Sequence, residues 1–336
     1  MSRSLLIKLL VLFAMLSTNS SAQESPTFRR AVLTDSGRRV VFDAQAFWGP
    51  RTAIPEWHHG FLVGWEFETF QEGGVNVRLF DQTGSKVTEA AIWFPDSARV
   101  FIEGAAATPD GRIVAAGEAN KTDGTTGHFL VATDRSGRVI QAIQTQEFYP
   151  GKVCVAPDGT VWSFGSMGYS KKQPRPGKTL RHFDMDKGEI GSFLPRSAFP
   201  KNVAPDERAY IGCSATEVVA YSTTSSKYIE MKYDTDGARV YDASNAPSSL
   251  RLIGFASPYH QQTFGLFSLL GHYGLYQLKF NEASSTAMWV PVDGTQGESK
   301  TEPVVIGLWG SDADGLILSR SEDIGGLGAL HWTKLK

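Results

Sequence analysis

Five glycines, at 37, 84, 137, 188 and 237, each close a tight polar turn, and successive ones are 47, 53, 51 and 49 residues apart. The turns read TDSG (34–37), FDQTG (80–84), TDRSG (133–137), FDMDKG (183–188) and YDTDG (233–237), with a looser FNEAS (280–284) after them. Asp accepts backbone hydrogen bonds in such turns, and Gly supplies the positive φ that other residues resist, so each reads as a hairpin connection. A second turn alternates with the first: HHG (58–60), TPDG (108–111), APDG (156–159), SAT (214–216), SPYHQQTF (257–264) and SDADG (311–315). Runs rich in β-branched and aromatic residues flank both kinds, among them TVWSFG, EVVAYS and LILS. The order is constant: strand, second-kind turn, strand, long loop, strand, first-kind turn, strand.

Blocks of four antiparallel strands at a period near fifty predict an all-β fold, a six-bladed β-propeller of four-stranded antiparallel blades. No sustained 3.6-residue apolar pattern interrupts them. The count of six depends on the ends. The C-terminal VVIGLWGSDADGLILSRSEDIGGLGALHWTKLK holds three strands and stops, while RRVVFDAQ (38–45) resembles an outer strand without its blade. Pairing RRVVFDAQ with ALHWTKL (329–335) would close the ring and leave no long unpaired edge at either end.

Loose turns such as PDGTVW (157–162) give residues 28–336 a resemblance to the six-bladed propellers of exported bacterial proteins, those similar to the TolB and NHL-repeat types. The resemblance implies a fold and no particular activity. Two enzyme groups of related architecture, the propeller lactonases and the streptogramin-lyase type, supply an alternative reading as a secreted or periplasmic lyase or hydrolase with its active site at the channel mouth. Their metal and catalytic motifs match no run of this chain.

Residues 1–22 carry Arg3 and Lys8, an apolar run from Leu9 to Leu16, and a small-residue end at Ser20-Ser21-Ala22. This reads as a secretory signal cleaved after Ala22, which leaves residues 23–336 as a single propeller domain, secreted or periplasmic. The apolar run is too short to span a bilayer. Cleavage takes Arg3 and Lys8 away and leaves 31 basic against 35 acidic residues, a formal charge of −4. That balance gives no pull toward nucleic acid. Cys154 and Cys213 are the only cysteines, so the core and not a disulfide framework must hold the fold. They fall on inner strands of neighbouring blades and are expected as two separate buried thiols.

Strand direction sorts the loops. Both kinds of tight turn emerge on one face; the long loops and the crossovers between blades emerge on the other, where binding residues belong. At the crossovers the chain repeats an aromatic, a proline and a basic residue, as in FWGPR (47–51), FYPGK (148–152) and AFPKN (198–202). The prolines, Pro50, Pro95, Pro150, Pro200, Pro247 and Pro291, read as ends of outer strands. A basic residue stands at or near every crossover: Arg51, Arg99, Lys152, Lys201, Arg251 and Lys300. With Trp48, Tyr149 and, in one long loop, Tyr169, Lys172 and Arg175, they form a candidate rim for a small anionic ligand, a glycan or a protein.

HExxH, GxSxG, GxxxxGK[ST] and CxxC are all absent, so no catalytic motif, metal site or cofactor is called. SDADG and DTDG bring carboxylates together but lack the rest of a calcium loop. His272 is the one weak general-base candidate, placed on the long-loop face beside Tyr273. The sequence therefore reads as a monomeric binding scaffold before it reads as an enzyme.

Overall fold

A computed structural model describes residues 38–42, 56–168, 176–259, 262–269, 272–292, 297–298, 306–311, 315–324 and 327–335, with single gaps at 82, 84, 202 and 236. The proposed signal segment, Trp48, Arg51, Tyr169, Lys172 and Arg175 lie outside the described residues.

The fold is all-β and propeller-like. Five consecutive meanders each run up and down four antiparallel strands. Meander one is Glu56–His58, Phe61–Trp65, Val77–Phe80 and Lys86–Ala90; meander two is Ser97–Ala107, Ile113–Lys121, Thr126–Thr133 and Val139–Gln144. Meander three is Phe148–Val155, Val161–Met167, Lys178–Asp184 and Gly188–Pro195; meander four is Ala209–Cys213, Glu217–Ser222, Lys227–Lys232 and Arg239–Ser244. Meander five is Arg251–Tyr259, Gln262–Leu269, His272–Asn281 and Thr286–Pro291. The C-terminal strands Ile306–Ser311, Gly315–Ile324 and Leu327–Leu335 take Arg38–Phe42 as a fourth, with Val40 opposite Leu330.

Two departures from a plain four-stranded pattern matter below. The short strand Glu68–Thr69 adds to the inner edge of Ser97–Ala107, with Glu68 opposite Phe101. The outer strands of meanders four and five pair in parallel, Asp242–Ser244 against Thr286–Met288, and so merge those two meanders into one sheet.

The turns form as their residues dictate. Asp134 Oδ1 accepts from the backbone N–H of Ser136 and of Arg138, and Gly137 follows at φ 85°. Here only glycine fits: a Cβ on Gly137 would lie 1.8 Å from the Glu89 carbonyl of the preceding meander. The core lies between meanders, not within them. Trp65, Leu79, Ile102 and Val131 fill the space between the first two; Val114, Leu130, Val153 and Phe183 fill the next; Tyr221, Tyr228, Phe267 and Trp289 fill that between meanders four and five. Each such side chain contributes roughly 1.5–3 kcal/mol by leaving water, so the inter-sheet layers dominate stability. Strand burial follows: Glu217–Ser222 is buried on both faces, whereas the outer Val139–Gln144 alternates half-buried with exposed.

The two cysteines differ from expectation. Cys154 and Cys213, at the ends of adjacent inner strands, have Cα atoms 5.7 Å apart and form a disulfide between meanders three and four. Pro150 also differs from the strand-end role. It sits inside Phe148–Val155, where the register slips between Tyr149 and Lys152, so it occupies a β-bulge of an inner strand.

Candidate functional site

The first strands of the five meanders, with parts of their neighbours, line an open cavity of about 790 Å³. Its short-turn end is lined by Trp57, His58, His59 and the Cys154–Cys213 bridge, and His59 Nε2 donates to the Val155 carbonyl at 2.8 Å. Its long-loop end is lined by Trp65, Phe67, Glu103, Tyr149, Lys152 and Asp206, with Ser166, Arg208 and Arg251 around them.

Backbone irregularity delivers the polar groups at that end. Glu103 is the extra residue where the register slips between Ile102 and Gly104, and a bulge re-aims the side chain it carries. The Pro150–Gly151 bulge does the same for Lys152 one strand away. Glycine permits the close approach: a Cβ on Gly104 would stand 3.2 Å from Lys152 Cα, and one on Gly151 would stand 2.8 Å from Asp206 Oδ2. Asp206 arrives on the loop before Ala209–Cys213. Buried Arg196 organises that loop, its guanidinium donating to the carbonyls of Phe199 (3.2 Å), Pro200 (2.7 Å), Lys201 (3.2 Å) and Val203.

Glu103 is within electrostatic reach of two further carboxylates, Asp206 and Glu118. Burial pushes Asp206 up to about 6 from its ordinary value near 3.8, with the Glu103 charge adding to the rise; a hydrogen bond from Ser166 and the charge of Lys152 pull the other way. Asp206 Oδ1 is closed off from water and accepts no hydrogen bond. Burial and the Glu103 charge raise Glu118 as well. The Tyr149 hydroxyl donates to Glu103, and burial together with that negative charge holds the phenol protonated far above its usual range. Lys152 Nζ donates to the Glu103 carbonyl at 2.9 Å and lies 6.0 Å from the centre of the Trp65 ring. Facing Glu118 across the sheet, His128 has Nε2 3.9 Å from Glu118 Oε2 and donates from Nδ1 to the Gln146 carbonyl at 3.0 Å. Burial lowers its pKa, so the imidazole is neutral at pH 7 and does not offset the acids. No group of three metal-ligating side chains converges among the described residues.

The sequence-predicted residues separate. Tyr149, Lys152 and Arg251 line the cavity together. Tyr149 is only 4% exposed and edge-on to His128, which makes it a packed hydrogen-bond donor and not an open stacking face. Arg99 is exposed near the start of Ser97–Ala107, 3.5 Å from the Glu68 carboxylate of the adjoining strap and 5.3 Å from the centre of the Phe70 ring. Lys201 is exposed away from the cavity wall. His272 opens its strand with its backbone opposite Leu269 and Glu298, and its side chain lies outside the described residues.

Glu103, Glu118, Ser166 and Asp206 are functional candidates that the repeat pattern missed. A signal existed for two of them: each Glu is the lone acid in an apolar strand and sits beside a glycine, in FIEGAAA and VAAGEAN.

No family model matches the chain, and no curated protein does. Among solved structures it is similar to a gluconolactonase from Xanthomonas campestris, at 15% identity and a TM-score of 0.46, over 94% of this chain and 96% of that one. It is also similar to a glucose dehydrogenase, at 12% identity and a TM-score of 0.41 over 85% and 96% of the two chains. A third likeness is to Hsv2 of Kluyveromyces lactis, at 10% identity and a TM-score of 0.39 over 74% of each. At such scores the likenesses carry no argument about chemistry, which has to come from the cavity itself.

Proposed function

We propose that the five meanders and the C-terminal sheet are six blades of a closed ring, and that the protein is an exported, monomeric binding scaffold whose ligand enters the channel from the long-loop face. The ring is supported by the neighbour relations of the innermost strands, which run from each meander to the next and from Ile306–Ser311 back to Glu56–His58, and by the pairing of Arg38–Phe42 with the last strand. Export is supported by the signal-like residues 1–22.

The observation that carries the binding assignment is the cavity itself, lined by Tyr149 and Lys152 from one inner strand and by Arg251 from another. Arg208 and Arg251 are exposed at its mouth, and neither pairs with an acid among the described residues. Together they form a rim suited to the anionic part of a small molecule, a glycan or a protein, and the sequence pattern adds Trp48, Arg51, Arg99, Tyr169, Lys172, Arg175 and Lys201 as candidates. Replacing Arg208 and Arg251 together by Ser tests this. Binding of a dicarboxylate or an acidic oligosaccharide should weaken at least tenfold and lose its salt dependence; unchanged affinity would reject the rim.

One observation favours the alternative, a lyase or hydrolase. A carboxyl group with shifted acidity, Asp206, lines the same cavity as Ser166, Tyr149 and Glu103, and such convergence is what acid–base chemistry requires. Turnover of lactone or uronide substrates that Asp206→Asn abolishes would establish it.

A further inference from the structure

We infer that the ligand is a monocarboxylate with a non-polar, aromatic body, its carboxylate held by Arg208 and Arg251 at the mouth and its body laid along the wall that meanders four and five make. This deepens the binding assignment above and rests on the cavity being the ligand site. Each arginine heads an inner strand: Arg251 opens Arg251–Tyr259, and Arg208 stands just before Ala209–Cys213. From there toward the short turns the wall changes character. Neither Ala209 to Ser214 nor Leu252 to Ser257 contains a charged residue. Tyr210, Ile211, Leu252, Ile253 and Phe255 all line the cavity and are only half-buried, so each keeps surface for a ligand. At about 3.3 Å per residue this strip runs roughly 13 Å along the strand, room for an arylalkyl group.

The strip is fixed in advance. The Tyr210 hydroxyl donates to the Leu252 carbonyl at 2.9 Å, its ring centre lies 5.8 Å from that of Phe255, and Phe255 stacks at 6.0 Å on buried Tyr221. Ile253 is the extra residue where the register slips between Leu252 and Gly254, and the bulge re-aims its side chain. A preorganised apolar wall with ring faces favours a ring-bearing body, since little has to be ordered on binding. The charges select a single carboxylate. Arg208 and Arg251 pair with no acid among the described residues, and Glu207, next to Arg208, lines the same cavity, which sets two arginines against one glutamate. The next acid, Asp206, has Lys152 and Arg196 as its charge partners. A second ligand carboxylate carried farther in would meet the apolar strip on one side and Glu56 and Glu103 on the other. A polyol is also a poorer match, because Tyr149 and Lys152 across the cavity already donate to Glu103.

Titration calorimetry on the full chain with three probes tests the inference: phenylpropanoate carries both parts, phenylpropanol lacks the charge, and succinate lacks the apolar body. Phenylpropanoate should bind at least tenfold more tightly than either of the others. Ile253→Asn, which puts a polar amide into the strip, should weaken phenylpropanoate at least fivefold and leave succinate within twofold. Ile211→Asn should do the same from the neighbouring strand in case the first variant folds poorly; circular-dichroism melting checks both. Arg208→Ser with Arg251→Ser should weaken both acids at least tenfold and leave the alcohol unchanged. Lys187→Ser, on a remote exposed turn, should change nothing. Succinate binding as tightly as phenylpropanoate, or phenylpropanoate indifferent to both isoleucine variants, overturns the apolar body and leaves the rim intact. Phenylpropanol binding as tightly as phenylpropanoate overturns the carboxylate, and the rim with it. Silence of all three probes removes the cavity as a ligand site.

Discussion

The two ends of the cavity are built from the same strands and differ in kind. Toward the short turns the inner strands of meanders two, three and four run in regular register, those of three and four are joined by the Cys154–Cys213 bridge, and His59 is tied across to Val155; only meander five slips there among the five, between Ala256 and Tyr259. Toward the long loops the same strands slip register at Ala98, at Glu103, at Pro150–Gly151 and at Ile253, and carboxylates gather. The lesson is a division of labour within one strand: regular pairing where packing decides the structure, irregular pairing where side chains have to be aimed.

The sharpest way to break the contrast is to fill the space on which the irregular end depends. A Cβ on Gly117 would lie 1.8 Å from the Phe101 carbonyl, beside the Glu103 bulge. Gly117→Ala should cost about 4 kcal/mol in urea unfolding, or prevent folding. At the regular end, Cys154→Ser with Cys213→Ser should cost about 4 kcal/mol, the bridge closing a loop between residues 59 apart. It should leave dicarboxylate binding within twofold; equal damage to binding would mean that the two ends are not separable.

A smaller effect follows from pH. Asp206 holds its proton more tightly folded than unfolded, so its contribution to stability is greatest below about pH 4 and is lost as pH climbs from there through about 6. Asp206→Asn removes this dependence and should stabilise the protein at pH 7.5 relative to pH 4 by about 2 kcal/mol more than wild type shows. A wild-type profile that is flat between pH 4 and 6 would contradict the buried position. Tyr149→Phe deletes the donor to Glu103 and should cost about 1 kcal/mol. Arg99→Ala, whose ion pair is exposed, should change stability by less than about 0.5 kcal/mol.

Most of the architecture was legible because it repeats. The Asp and Gly of TDRSG predict an Asx turn with positive φ, and Asp134 and Gly137 form one. Local chemistry of that kind needs no tertiary context. The floor of the cavity was not legible for the opposite reason. Asp206 lies in a loop whose shape depends on Arg196, Ser166 belongs to the strand beside it, and Glu103 is turned inward by a bulge that no local pattern announces. The basic residues were legible as a set but not in their commitments. Lys152 does reach the cavity, yet its ammonium is held by the Glu103 carbonyl, while Arg99 is paired to Glu68 on a separate strap. The cysteine pairing needed the actual separation of two inner strands, which spacing along a chain does not contain.

The parallel seam between Asp242–Ser244 and Thr286–Met288 also bears on how copies of this protein meet in a crowded compartment. Meanders one, two and three end in outer strands whose far edges pair with nothing among the described residues, and Ile140 and Ile190 are 44% and 47% exposed on two of them. Meanders four and five instead zip their outer strands to each other, leaving no ladder for a stranger's strand to extend. Unwanted self-assembly at high concentration should therefore begin on the first half of the perimeter, and a lysine at Ile140 or Ile190 is the substitution to suppress it.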